Sequence, residues 1–362
     1  MGRAIVVLAL ALAVVFGLRA PMGNVGLGFA GASVGCSSSG GALDPKDCAA
    51  CHRPIADRYA LSAHAKADDS PVFHALRDGA PENTRAFCDR CHSPRHDRGE
   101  RGVGCLACHG VVGNQGTENA RFIEGDDDTV QGPTGPTGAG AAHRTRKESF
   151  VTSAELCGTC HEVNGGGAFV ETPYTEWSNS PAHAQGIACP KCHMAKTPGD
   201  PSSGFDRGVI APNVPERDIG DHAFRAADGG LLDHAARLAI TRTQGNASIT
   251  LTNRNPAHSL PAGARFIRRL TLVVKSSDGA TANWDLGDRL LENGSETVDP
   301  IAADGHEIRA LDAATERTFY FAATGSVDAK LVYRSYDDRL LARLVLDPSL
   351  SSPRVIAEAT SP

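Results

Sequence analysis

Ten of the chain's 11 cysteines fall into five copies of one spacing, each with a histidine directly behind the second thiol. The copies are Cys48-Ala-Ala-Cys51-His52, Cys88-Asp-Arg-Cys91-His92, Cys105-Leu-Ala-Cys108-His109, Cys157-Gly-Thr-Cys160-His161 and Cys189-Pro-Lys-Cys192-His193. Two thiols at this spacing add to the two vinyl groups of one haem, and the adjoining imidazole reaches the iron from the proximal side. C-x-x-C-H is therefore read as a c-type haem attachment signature, and five covalently bound haem c groups are expected. A structural zinc site needs four ligands converging on a tetrahedral point; the C-x-x-C to H-x3-5-H finger spacing is absent. A thioredoxin-like reading wants one C-x-x-C beside a βαβ pattern, and none surrounds these motifs. A disulfide framework gives no reason for a histidine after every second cysteine.

Composition agrees with a fold built around such groups. Aromatic residues make up only 5% of the chain, too few for a normal core in the motif-bearing stretch. Flat, largely apolar macrocycles would supply that core, and the chain need only wrap them. A net charge of −6, with 22% charged residues, carries no nucleic-acid footprint. The length of 362 residues leaves room for about two domains.

The beginning of the chain reads as an export signal over residues 1–35. Arg3 supplies a positive start, and the apolar run from Ala4 to Leu18 is shorter than a membrane span but suits a secretory segment. Ala30-Gly31-Ala32 resembles a small-residue cleavage site. Val34-Gly35-Cys36 resembles the end of a lipobox, with a flexible Ser/Gly tether over residues 36–47. Cys36 is the one cysteine outside the five motifs, and it reads either as a lipid anchor or as a thiol without that role. Either way the protein is expected outside the cytoplasm, periplasmic or held to a membrane by lipid.

Residues 48–200 hold all the motifs and form the expected pentahaem domain. Ile55 to Lys66 and Thr172 to Gln185 have helical spacing. Val111 to Ala142, rich in Gly, Thr and Asp, reads as a loop between the third and fourth motifs. Residues 201–235 read as a connector holding a candidate distal ligand. Residues 236–350 alternate with period two, as in Ala247-Ser-Ile-Thr-Leu-Thr and Leu270-Thr-Leu-Val-Val-Lys, and predict an antiparallel β-sandwich. The fold class expected is thus α+β, a haem-packed half of short helices and loops followed by the sandwich.

Each c-type haem iron has a second axial position, filled most often by His or Met. Of three methionines, Met1 and Met22 lie in the export segment and Met194 adjoins His193. Nine histidines remain beyond the proximal ones: His64, His74, His96, His143, His183, His222, His234, His258 and His306. Bis-histidine, low-potential haems are therefore the default. One local pattern occurs twice, Ser62-Ala-His64-Ala and Ser180-Pro-Ala-His183-Ala, each after a motif.

Several stretches resemble a known family. Glu100-Arg-Gly-Val-Gly-Cys-Leu-Ala-Cys-His, Ser153-Ala-Glu-Leu-Cys-Gly-Thr-Cys-His-Glu-Val, and Tyr174-Thr-Glu-Trp177-Ser-Asn-Ser-Pro-Ala-His183 with Gly186-Ile-Ala-Cys-Pro-Lys-Cys-His-Met are similar to blocks of the multihaem cytochromes related to the ammonia-oxidiser tetrahaem cytochrome and the octahaem reductases. Cys48 to Ala65 resembles their opening module. His222-Ala-Phe resembles an H-x-F element, and Ala257-His258-Ser-Leu-Pro-Ala-Gly a G-H-x-x-P-T-G element, with Ala262 where Thr is usual. The resemblance spans roughly residues 45 to 340. It implies distal ligation by His64, His143, His183, His222 and His258, with His96 in reserve.

Two functions follow from this reading. An electron carrier would hold every iron six-coordinate and exchange electrons with redox partner proteins, other cytochromes or membrane quinol-oxidising components. A reductase of small nitrogen or sulfur oxyanions would keep one iron open. The C-x-x-C-K motif that marks the active haem of pentahaem nitrite reductases is absent, and the surplus of histidines favours the carrier.

Overall fold

The computed structural model describes residues 48–50, 52–133, 143–165, 170–196, 205–206, 217–226 and 230–362. The export segment, the tether, Cys36 and Cys51 lie outside the described residues, as does most of the expected connector. Among the described residues no helix is long and apolar enough to cross a membrane.

The architecture is α+β. Its C-terminal half is a sandwich because its central strands place alternate residues in the core. In Asn246–Asn253, Ala247, Ile249 and Leu251 are at most 1% exposed while their neighbours face outward. That strand lies between Ala236–Thr243 and Glu316–Ala322 in a three-stranded antiparallel sheet. A second sheet runs Thr281–Asp285, Arg269–Ser276, Val327–Arg334, Arg354–Ser361. The inner faces of both sheets contribute to one core that includes Leu238, Ile249, Leu251, Leu270, Leu272, Leu331 and Ile356. The last strand, Arg354–Ser361, lies past the expected boundary at residue 350. Leu331 is fully buried opposite Leu272. Leu331→Ala should cost about 2–5 kcal/mol through lost transfer energy and a residual cavity, read as a lower urea midpoint for the sandwich.

The N-terminal half has little core of its own; one of its clusters contains only Ala154, Trp177 and Ala182 as buried members. Its helices are short, and the motifs lie on them or at their ends: Glu82–His92, Cys105–His109, Ala154–Cys160 and Cys189–His193. The two expected helices are each broken. Arg53–Tyr59 is followed by a 3-10 turn at His64–Lys66, and Pro173–Ser178 by a second helix at Pro181–Ala184. Serine restarts each piece. Ser62 Oγ accepts from the Ala65 N–H at 3.1 Å, and Ser180 Oγ from the His183 N–H at 3.3 Å. The repeated Ser-His pattern is thus a capped turn that presents a histidine.

The stretch expected as a loop after Val111 contains short strands. Val111–Asn114 pairs antiparallel with Phe122–Glu124, and Thr129–Gly132 pairs parallel with Arg144–Lys147. Such brief strands leave no readable alternation in the sequence.

Candidate cofactor sites

The motif blocks fold as they do for local reasons. Glu100 Oε1 accepts from the Leu106 N–H at 2.9 Å and so caps the short helix Cys105–His109. Gly102 sits at φ +61°, where a Cβ would come within 2.6 Å of the His64 carbonyl; its neighbour Val103 donates to that same oxygen at 2.9 Å. The Glu-x-Gly-Val element thereby fixes the third motif against the turn bearing His64. Glu162, directly after His161, accepts from the backbone N–H groups of Tyr174 and Thr175 at 3.1 and 3.0 Å and holds the start of Pro173–Ser178. Gly158 lets Tyr174 pack on the motif helix, since a Cβ there would meet its ring at 2.4 Å.

Four of the five motif histidines face a second imidazole. Ring centroids lie 6.3 Å apart for His52 and His143, 6.3 Å for His109 and His222, 6.0 Å for His161 and His64, and 6.2 Å for His193 and His258. Two imidazoles that each place a nitrogen about 2 Å from a shared metal have centroids about 6 Å apart. These spacings are too long for ring stacking and suit an iron between each pair. The facing residues His64, His143, His222 and His258 all come from other parts of the chain, and His258 is delivered by the sandwich.

The hydrogen bonds set the tautomer. Nδ1–H of His92, His109 and His193 donates to the carbonyls of Ala67, Gln131 and Arg225 at 2.9, 2.7 and 2.7 Å. His222 does the same to Gly220 at 2.9 Å. Spending the Nδ1 proton on the backbone leaves the Nε2 lone pair for a metal. Burial keeps the rings neutral, bringing His64 down to about 4 and lowering His109 and His258. His161 is itself an exposed residue, and its imidazole lies beside that of His64. A half-buried guanidinium, Arg268, adds positive charge near the His161 imidazole and donates to the Tyr333 hydroxyl at 2.6 Å.

The thiols show which motifs are neighbours. The Cys48 and Cys105 thiols lie close enough to perturb each other, as do those of Cys91 and Cys160, and of Cys157 and Cys189. Cys108 lies close enough to Cys157 and Cys160 to affect both. In space the motifs therefore run first, third, fourth, fifth, with the second branching from the fourth. No disulfide joins any of the described cysteines. Among the described residues no three His, Cys, Asp or Glu side chains converge as a bare metal ion would require. The donors fit flat macrocycles bound through thioethers and two opposed axial imidazoles.

The fifth motif histidine differs. Among the described residues no imidazole faces His92; its ring stacks on Phe73 instead, with centroids 4.0 Å apart and planes 13° apart. His183 is not brought opposite a motif histidine. It is exposed and lies edge-on to Trp177, centroids 4.7 Å apart. His96 is also exposed, with Nδ1 bonded to the Ser93 carbonyl at 3.0 Å.

Two residues of evident importance carried no signal in the sequence reading. Asp221 is fully buried and joined to Arg58 by two hydrogen bonds, Nε to Oδ1 at 2.9 Å and Nη2 to Oδ2 at 2.6 Å. This clamp ties the helix after the first motif to the residue before His222. Phe73 marks the second site by its ring alone. Nothing but adjacency to a candidate ligand could have found Asp221, and nothing local distinguishes Phe73.

No protein-family model matches the chain, and no curated protein matches it. A solved structure does, that of a penta-heme cytochrome c552 from Thermochromatium tepidum. The two are 19% identical, with a TM-score of 0.67, and the match covers 88% of this chain and 99% of that one. At this identity the likeness speaks for the fold.

Proposed function

We propose that the protein is an extracytoplasmic pentahaem c-type cytochrome that relays electrons. The observation that carries the reading is the set of four motif histidines, each facing a second imidazole at the spacing an axially ligated iron needs. The overall likeness to a penta-heme cytochrome supports it. In this reading Cys48 and Cys51, Cys88 and Cys91, Cys105 and Cys108, Cys157 and Cys160, and Cys189 and Cys192 attach five haems. Haem would supply one-electron iron chemistry, at low potential where both axial ligands are histidine. The protein's own part is to fix the imidazoles through backbone carbonyls and to keep them neutral by burial. It also packs successive motifs into contact, so that the sites form a branched file with the fourth motif at the junction. Redox proteins outside the cytoplasm are the partners, with Cys36 as the residue for a lipid anchor.

His92 favours a second reading for one site. With Phe73 on its ring and no imidazole opposite, an iron held there has an exchangeable position, which is what a reductase of small nitrogen or sulfur oxyanions requires. Electron paramagnetic resonance of the fully oxidised protein separates the two. The carrier gives low-spin signals throughout, whereas a high-spin component of about one haem in five would mark the His92 site as open. The planes of His109 and His222, and of His193 and His258, meet at 19°, whereas those of His161 and His64 meet at 55°. Near-parallel planes split the iron d orbitals more strongly, so two low-spin signals should be markedly rhombic and the His161 signal less so. An entirely low-spin spectrum would leave the carrier reading alone. A high-spin signal calls for assays with nitrite, hydroxylamine and tetrathionate.

A further inference from the structure

The motif residue Glu176 has no part in the ligand set, yet it lies where the two halves meet. It sits on Pro173–Ser178, the helix anchored by Glu162 behind His161. One carboxylate oxygen, Oε2, accepts from the Ser259 N–H at 2.7 Å. The other, Oε1, accepts from Thr172 Oγ1 at 3.0 Å and is paired with Arg265 Nη1. Arg265, 5% exposed, donates through Nε to Asp288 Oδ2 at 2.7 Å. Asp288 is itself held by the Arg309 and Ala310 N–H groups at 2.8 and 3.1 Å and by His306 Nε2 at 2.9 Å. Ser259 directly follows His258, and the Pro256 carbonyl accepts from the Ala182 N–H at 3.1 Å. The loop bearing His258 therefore hangs between the sandwich and the motif half, with Glu176 gripping it from the motif side.

We infer that Glu176 is the positioning residue that seats His258 opposite His193, through its paired bonds to the Ser259 N–H and the Arg265 guanidinium. This rests on the ligation proposed above. A half-buried carboxylate with both oxygens engaged is well placed for the role. Charge-assisted hydrogen bonds are about twice as strong as neutral ones, and an imidazole misplaced by about 1 Å no longer reaches a metal. Without Glu176, the Ser259 N–H and the Arg265 guanidinium lose a partner together, and the sandwich retains its core while its ligand loop is released.

The test uses the full-length protein with haems attached and compares Glu176→Ala, Glu176→Gln and His258→Ala. The readouts are equivalents of carbon monoxide bound by the reduced form and the high-spin fraction of the oxidised form. Glu176→Ala is expected to bind about one more equivalent per chain than the unsubstituted protein, matching His258→Ala, since one axial position is freed in each. Glu176→Gln, whose amide oxygen still accepts from Ser259, should recover most of the native spectrum. If Glu176→Ala fails to accumulate, Glu176→Asp, too short to hold both partners, takes its place with the same expectation. A gain in His258→Ala with none in the Glu176 variants overturns the inference and leaves the ligation reading standing. No gain in His258→Ala overturns ligation at this site and the inference with it.

Discussion

Replacing both Cys157 and Cys160 by alanine is expected to leave the N-terminal half unable to fold. These thiols stand at the junction of the file, with Cys157 against Cys189, Cys160 against Cys91, and Cys108 near both. Of the site's imidazoles, His64 is enclosed enough that burial brings it down to about 4. The surrounding polypeptide offers little compensating core, since the nearby cluster is Ala154, Trp177 and Ala182. Losing an apolar group at this position removes burial comparable to a domain's whole net stability, about 5–15 kcal/mol. Haem content by the pyridine haemochrome method, followed by limited proteolysis, checks the outcome. The variant should be recovered, if at all, as protease-sensitive material with fewer than four haems. The same change at Cys48 and Cys51, at the end of the file, should give a folded four-haem protein. A stable, protease-resistant four-haem product from the junction variant would refute the assigned order.

Asp221→Ala should be the most damaging single substitution in the motif half. Asp221 is 0% exposed, and its partner Arg58 keeps only 14% of its side chain accessible. Removing the carboxylate deletes two charge-assisted hydrogen bonds to the half-buried Arg58 guanidinium, about 1.5–3 kcal/mol each. It also frees the Ala223 N–H, which Oδ1 accepts at 3.0 Å, and so loosens the backbone on both sides of His222. Two readouts follow. The denaturant midpoint should fall, and carbon monoxide binding should rise as His222 leaves its place opposite His109. Replacing Arg58 and Asp221 together by Met and Leu should restore much of the stability, because the desolvation cost of the pair goes with its charges. If the single and double variants unfold alike, the clamp does not work as a charge pair.

How far the sequence disclosed this arrangement depended on whether the governing interaction was local. Cys-x-x-Cys-His is complete within five consecutive residues, so the attachment signature could be read directly. The sandwich could be read because each strand has one wet face; Ala247, Ile249 and Leu251 announce theirs. Arg354–Ser361 could not, since intermediate and exposed positions interrupt its pattern. The helical runs after Ile55 and Thr172 kept their apolar spacing across serine-capped breaks, which periodicity does not register. Facing imidazoles are contacts between distant segments. The resemblance to known cytochromes pointed to His64, His143, His183, His222 and His258, of which all but His183 face a motif imidazole, whereas composition gave only nine spare histidines. The isolation of His92 and the solvent-facing place of His183 depend on where Phe73 and Trp177 pack, and no spacing rule reports that.

The facing pairs also have a topological consequence. Each would close a loop in the chain, from 52 to 143, 64 to 161, 109 to 222 and 193 to 258, and every loop overlaps the next. Overlapping closures behave like links, since opening one releases little conformational freedom while its neighbours remain shut. A chain threaded outward from its N-terminus cannot complete the last link until the sandwich has emerged. Cofactor insertion could then proceed stepwise, but the mature protein would loosen only as a whole.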